Sequence, residues 1–287
     1  MSGRVCEAGT FVPVSRTSAR RLRLGIIALV TTLVIVGGGV TLYVHFRPYL
    51  HGTNCEARTN TEVVPLDLDQ AGNAATIAAV ALRKKLPEEA VIIAYATALQ
   101  ESHLRNLESG DRDSVGLFQQ RPSQGWGTAT QLQDPAYAAN RFFSALVKVK
   151  DYSGLPVHEA AQKVQRSADG KAYAKHEDDA RIMAAAYTGR VPGAVRCWYP
   201  PNKRKKQAQP QQALDMLRKT LKRKDTGDGM TAANSRSGWT MAIWMVAHAQ
   251  PYGIHEVRYA GRHWRSAQGH DGWTKDAQAP ADRVLVR

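Results

Sequence analysis

Apolar positions divide this chain into blocks of different period. From Leu24 to Val44 runs an uncharged stretch, LGIIALVTTLVIVGGGVTLYV. It is long enough to cross the ~30 Å hydrocarbon core of a bilayer as a helix. Residues 45–70 are polar and read as a stalk. The pattern NAATIAAVALRKKL, starting at Asn73, suits a helix with Asn73 as its N-cap. Pro87 fits the first position of the next helix, with Glu88 and Glu89 in a first turn that favours acids. That helix, PEEAVIIAYATALQESHLRN, is apolar nearly all round through Ala98, so it belongs at the centre of a domain. Asp134-Pro135 opens another helix, Pro156 another, and a fourth covers 175–187. Together they predict a helical domain over 71–199. The pattern breaks after Cys197. Residues 200–236 hold Pro200, Pro201 and Pro210 with the clusters Lys203-Arg204-Lys205-Lys206 and Lys222-Arg223-Lys224, and read as a basic linker with some helix. Residues 237–287 read as a small α/β unit: a helix (WTMAIWMVAHA), a strand (HEVRYA), then RHW and a last strand, VLVR. The expected fold is therefore mainly α, with one transmembrane helix before the helical domain and a small α/β unit after it.

Charge adds a compartment to this picture. The net charge of +14 predicts attraction to polyanions: nucleic acid, anionic lipid headgroups or acidic wall polymers. Arg4, Arg16, Arg20, Arg21 and Arg23 precede the apolar run against a single acid, Glu7. Such a flank stays in the cytoplasm, so residues 1–23 form a cytoplasmic tail and the rest faces outward. A cleaved signal peptide has a shorter apolar core and small residues at its cut site. Here the run ends in Tyr43-Val44-His45-Phe46-Arg47, and the residues before Cys55 form no lipobox. The expectation is a single-pass protein of the cell membrane with extracytoplasmic domains. One span without intramembrane charge offers no transport pathway. An outward-facing domain rarely meets nucleic acid, so anionic wall polymers or lipid headgroups are the partners expected for the basic linker, which is otherwise simply solvated.

Of three cysteines, Cys6 lies on the cytoplasmic side and is expected to be a free thiol. Cys55 and Cys197 lie outside, where disulfides persist. The simplest reading is one bridge between them; two unpaired thiols are the alternative. Neither sits in a C-x-x-C or near a histidine at ligand spacing, so no metal site and no cofactor are expected.

The candidate chemistry lies in ALQESHLRNLESGDRDSVGLFQQRP. A carboxylic acid at the end of a buried helix sits half in apolar surroundings, which favour its protonated form. Such a group can donate a proton in glycosidic-bond cleavage. Glu101 occupies that position. Glu101-Ser102, then Gly116-Leu117-Phe118-Gln119, then Pro122, resembles the "ES … GLMQ … P" signature of soluble-lytic-transglycosylase domains, and goose-type lysozymes are similar. The resemblance covers about residues 73–190. It implies a lysozyme-like fold with Glu101 as general acid/base. Ser102 and the run Gly116, Leu117, Phe118 and Gln119 would line the groove beside it, with Gln119 touching sugar. Ala186-Tyr187-Thr188-Gly189 resembles that family's "YNAG" motif with Thr188 in place of asparagine; Tyr187 would then face the acid. The string NLESGDRDSVGLFQQRPSQGWGT also resembles actinobacterial single-span proteins with a lysozyme-like ectodomain. Each residue has a plainer role as well. Glutamates at helix ends are usually solvated, Gly116 can serve a tight turn, Phe118 fits a core, and Trp126 can either stack on a sugar or cover the core.

Two-carboxylate glycosidases need a second acid. Asp111 and Asp113 are the local candidates, although turn capping or an ion pair with Arg112 suits them better. Without a second carboxylate one glutamate does both jobs: it protonates the leaving oxygen, then acts as base while the sugar's own 6-hydroxyl attacks. That is the lytic-transglycosylase route; hydrolysis by water is the alternative. The C-terminal unit resembles a zinc D,D-peptidase-like domain whose last strand carries metal-binding histidines in a "DHVHV" ending. Here the matching residues are Asp282-Arg283-Val284-Leu285-Val286, and His255, His263 and His270 lack ligand spacing, so a metal-free remnant is expected. The function expected from these readings is membrane-anchored, extracytoplasmic cleavage of peptidoglycan glycan strands. The alternative is an inactive lysozyme-like cell-wall-binding protein.

Overall fold

The structure, a computed structural model, describes residues 16–50, 52–166, 170–203 and 207–287. The basic tail before Arg16, Cys6 included, lies outside the described residues. The chain divides between Arg47 and Pro48 into two units.

The first unit carries all but the last three residues of helix α1 (Arg16–Leu50). Its described side chains from Ile26 to Tyr43 are exposed, and many are large and apolar. Among the described residues, however, no helix is long and apolar enough to cross a membrane. This corrects the expectation of a transmembrane helix over 24–44. Side chains at Leu24, Gly25, Ala28 and Val44 fall outside the described set. Within the rest, Gly37, Gly38 and Gly39 add no apolar side chain, and Thr31 and Thr41 turn their hydroxyls onto the carbonyls of Ile27 and Gly37.

The second unit opens with a hairpin of β1 (Asn54–Arg58) and β2 (Val63–Leu66), where a stalk was expected. Its apolar residues alternate, so that Cys55, Ala57, Val64 and Leu66 point into the core. Helix α2 (Leu68–Arg83) follows. It begins before Asn73 because Asp67 and Gln70 form a reciprocal capping box; Asn73 instead donates to the Leu104 carbonyl at 2.8 Å. Helix α3 (Glu88–Ser102) is buried continuously from Ala90 to Leu99. Short α4 (Ala129–Leu132), α5 (Pro135–Leu146), α6 (Val157–Gln165) and α7 (Glu177–Tyr187) come next. Helices α2, α5, α6 and α7 all pack against α3, which makes it the central helix. Strand β3 (Val195–Trp198) returns to pair with β1, and Cys197 sits opposite Cys55. The two are disulfide-bonded across 142 residues, the pairing expected from compartment and count. Closing a loop of that size contributes about 5 kcal/mol in the chain-entropy account.

The remainder is α8 (Pro210–Leu221), β4 (Gly229–Thr231), α9 (Ser235–Ala247), α10 (Ala249–Tyr252), β5 (Glu256–Tyr259), β6 (Arg262–Arg265), β7 (Thr274–Lys275) and β8 (Arg283–Val286). The five strands form an antiparallel sheet in the order β4-β8-β5-β6-β7. Helix α9 is buried from Ser237 to Ala247, with α2 against it and β5 and β8 also in contact. Gly238 makes this approach possible: a Cβ there would lie 2.0 Å from the Tyr259 ring.

The expected fold class is therefore corrected as a whole. The chain is about 53% helical with a separate antiparallel sheet region, and one compact unit spans residues 48–287. The reason is pairing at long range. Strand β4 comes from the segment read as linker, and α8 in that segment buries Ala213, Leu214, Leu217 and Leu221.

Candidate functional site

Glu101 is the penultimate residue of α3. The helix stops because His103 and Leu104 both take left-handed backbone angles, φ 51° and 59°. Their N–H groups bond back to the carbonyls of Leu99 and Ala98, at 3.1 and 3.0 Å. The chain thus leaves the helix at once, and the Glu101 side chain stands half-buried at its end. Its Oε1 accepts a 2.7 Å hydrogen bond from the hydroxyl of Tyr173. Tyr173 is itself 1% exposed and belongs to a 3-10 segment, Gly170–His176.

Buried Ser102 donates to the Leu117 carbonyl at 2.7 Å. It ties the end of α3 to the turn from Val115 to Gln120, whose two ends form an antiparallel bridge. Gly116 is required there twice over. Its φ is +77°, and a Cβ would lie 2.5 Å from the Leu132 carbonyl oxygen. Leu117 and Phe118 are fully buried, and Phe118 stacks on Phe142 with ring centroids 4.6 Å apart. Gln165 donates to the Phe118 carbonyl at 2.7 Å. Four of the expected groove residues, Ser102, Gly116, Leu117 and Phe118, thus fix the turn against α3 and present no side chain to a ligand. Gln119 folds over its own turn: its Oε1 accepts from Ser114 at 2.9 Å and its Nε2 donates to the Gly116 carbonyl at 3.1 Å.

Tyr187 does not reach a ligand surface. It is fully buried, edge-on to Tyr95 at 6.1 Å, and its hydroxyl finds no hydrogen-bond partner among the described residues. Burial pushes that hydroxyl's pKa well up. Trp126 is half-buried against the core, and its carbonyl accepts from Arg141 at 2.8 Å.

The local carboxylates divide cleanly. Asp111 is exposed, and Arg112 lies 3.9 Å away. Asp113 accepts from Arg121 at 2.7 Å and from the Ser123 N–H at 2.8 Å. The Arg121 hydrogen bond first, and the Ser123 bonds after it, hold the Asp113 carboxyl well below the usual range. It is a loop clamp. Beside Glu101, the side-chain amide Oε1 of Gln100 lies 3.1 Å from His176 Nε2. Burial, then Lys175 and His103, lower the pKa of His176. Facing an amide oxygen, Nε2 is the ring nitrogen that carries the hydrogen and donates it to Gln100 Oε1.

Sequence reasoning missed Tyr173, His176 and Gln165. The one available signal was Tyr173 itself, the lone aromatic of the segment GKAYAKH. In the C-terminal sheet, β8 buries Val284 and Val286 where a metal-binding strand would carry histidines. His263 lies 2.8 Å from Thr274 and 3.6 Å from Asp276, and His270 meets the Trp198 ring edge-on. Among the described residues no group of three or more His, Cys, Asp or Glu could hold a metal ion. No family model matches the sequence, and no curated protein matches it either.

Proposed function

We propose that this protein cleaves peptidoglycan glycan strands outside the cytoplasm, with Glu101 as the general acid/base. The observation that carries the reading is the hydrogen bond from buried Tyr173 to Oε1 of the half-exposed Glu101. The hydroxyl fixes the carboxyl group and occupies one oxygen, leaving Oε2 to carry the proton that goes to the glycosidic oxygen. The Ser102 bond to Leu117 sets the turn beside that acid. With Asp113 bound to Arg121 and Asp111 in solvent, Glu101 works without a carboxylate partner. After protonating the leaving oxygen it takes the proton of the attacking sugar 6-hydroxyl, which gives an anhydro end. The Cys55–Cys197 bridge supports an oxidising compartment. The exposed apolar side chains of α1 support retention at a lipid surface.

A second reading, glycan binding without cleavage, is favoured by two side chains. Gln119 is engaged within its own turn, and Tyr187 is buried. Mass spectrometry of peptidoglycan digests separates the two. Anhydro-muramyl ends produced by the native chain and absent with Glu101→Gln support the transglycosylase, and reducing ends support hydrolysis. Retention on glycan without any product supports the binder.

A further inference from the structure

A cleft of about 630 Å³ opens between the Gln124–Trp126 loop, one face of α5 and the last turn of α6. Its basic lining residues are Arg141, Lys148, Lys163 and Arg166, and none of the described lining residues is acidic. Arg141 is fixed on the wall by donating to the carbonyls of Gly125 and Trp126, both at 2.8 Å. Lys148, Lys163 and Arg166 have no ion-pair partner among the described residues. Elsewhere in the unit Arg181, Arg190, Arg236, Arg258 and Arg265 meet carboxylates. Four cations facing one concavity, with no acidic side chain among the described lining residues, focus positive potential into it.

We propose that this cleft is a second binding site, for a phosphodiester polymer that carries no bases. Two walls of cations suit successive phosphates along one chain, each contact releasing condensed counterions. Single-stranded nucleic acid is disfavoured because its recognition stacks successive bases on several aromatic faces, and the described lining holds a single aromatic, half-buried Trp126. Of the basic segment 200–236, Arg218 is buried on Asp215 and backbone carbonyls, and Arg223 pairs with Asp225. The cleft thus sets four cations around one concavity on α5, α6 and the residues that follow each. The site is separate from Glu101.

The test uses the full-length chain and a fluorescent glycerol-phosphate oligomer, with a single-stranded oligonucleotide of equal phosphate number as competitor. Lys148→Glu with Lys163→Glu weakens oligomer binding at least tenfold, while Lys203→Glu with Lys224→Glu, an equal charge change elsewhere, weakens it less than twofold. Glu101→Gln leaves binding unchanged, whether or not that residue cuts glycan. The milder Lys148→Gln with Lys163→Gln, at an unchanged melting temperature, gives an intermediate loss. Equal losses for the two glutamate pairs, no loss for the cleft pair, or equally tight binding of the oligonucleotide overturns the proposal.

Discussion

At the scale of single residues, the account rests on a carboxyl group and the phenol that holds it. Removing the acid by Glu101→Gln lowers the rate of strand cleavage at least ~100-fold, the usual size of a general-acid effect. Tyr173→Phe deletes only the hydroxyl that bonds Glu101 at 2.7 Å. It lowers kcat about tenfold and leaves KM unchanged, the signature of lost positioning in the transition state; steady-state kinetics on isolated glycan strands check both. A second residue-scale prediction concerns His248. Part of its surface reaches a cleft, but its ring stacks on Trp244 at 3.7 Å, and burial lowers its pKa to about 4. The unfolded chain therefore binds a proton between pH ~6.5 and ~4 that the folded chain refuses. Stability is complete above pH ~6.5 and falls by up to about 3 kcal/mol as the pH drops through that window. Melting curves of the native chain and of His248→Leu, taken across it, give a steep dependence for the first and a shallower one for the second. The pair Tyr173–Glu101 was invisible in the sequence because 72 residues separate its members, and no periodicity links a loop phenol to a helix end.

At the scale of elements, Gly238 sets the distance between α9 and the C-terminal sheet. Gly238→Ala drives a methyl group into the Tyr259 ring and destabilises the chain by about 2–4 kcal/mol, read from denaturant unfolding. How much of the fold the sequence revealed depended on the range of the forces involved. Helix α5 was legible from Asp134-Pro135, and the structure gives Asp134 as N-cap with Pro135 in the first turn, since a cap is a contact between neighbours. Helix α3 was legible from its unbroken apolar face. The start of α2 was missed because Asp67 and Gln70 sit in a stretch that looked like a polar stalk. Strands β1 and β2 were missed for a related reason. Each is short, and β1 is completed by β3, far along the chain. The strands at HEVRYA and VLVR were legible, whereas β6 at RHWR had no strand assigned to it and β4 was hidden inside a basic run.

At the scale of the molecule, the disulfide and a set of arginine contacts hold distant segments together. Glu88, in the first turn of α3, meets Arg190 at 2.8 Å and Arg236 at 2.7 Å; pairs as exposed as these contribute little individually. The bridge contributes more. Replacing Cys55 and Cys197 by serine lowers the unfolding free energy by about 3–5 kcal/mol, measured against the oxidised chain. An unchanged midpoint would mean that the β1–β3 pairing stands without it. The most direct check on the whole account compares initial rates on uncross-linked glycan strands for the native chain and for Glu101→Gln, each shown to be folded by its melting curve. The account predicts measurable strand shortening by the first and at least ~100-fold less by the second. Equal rates, or no shortening by the native chain, would contradict it.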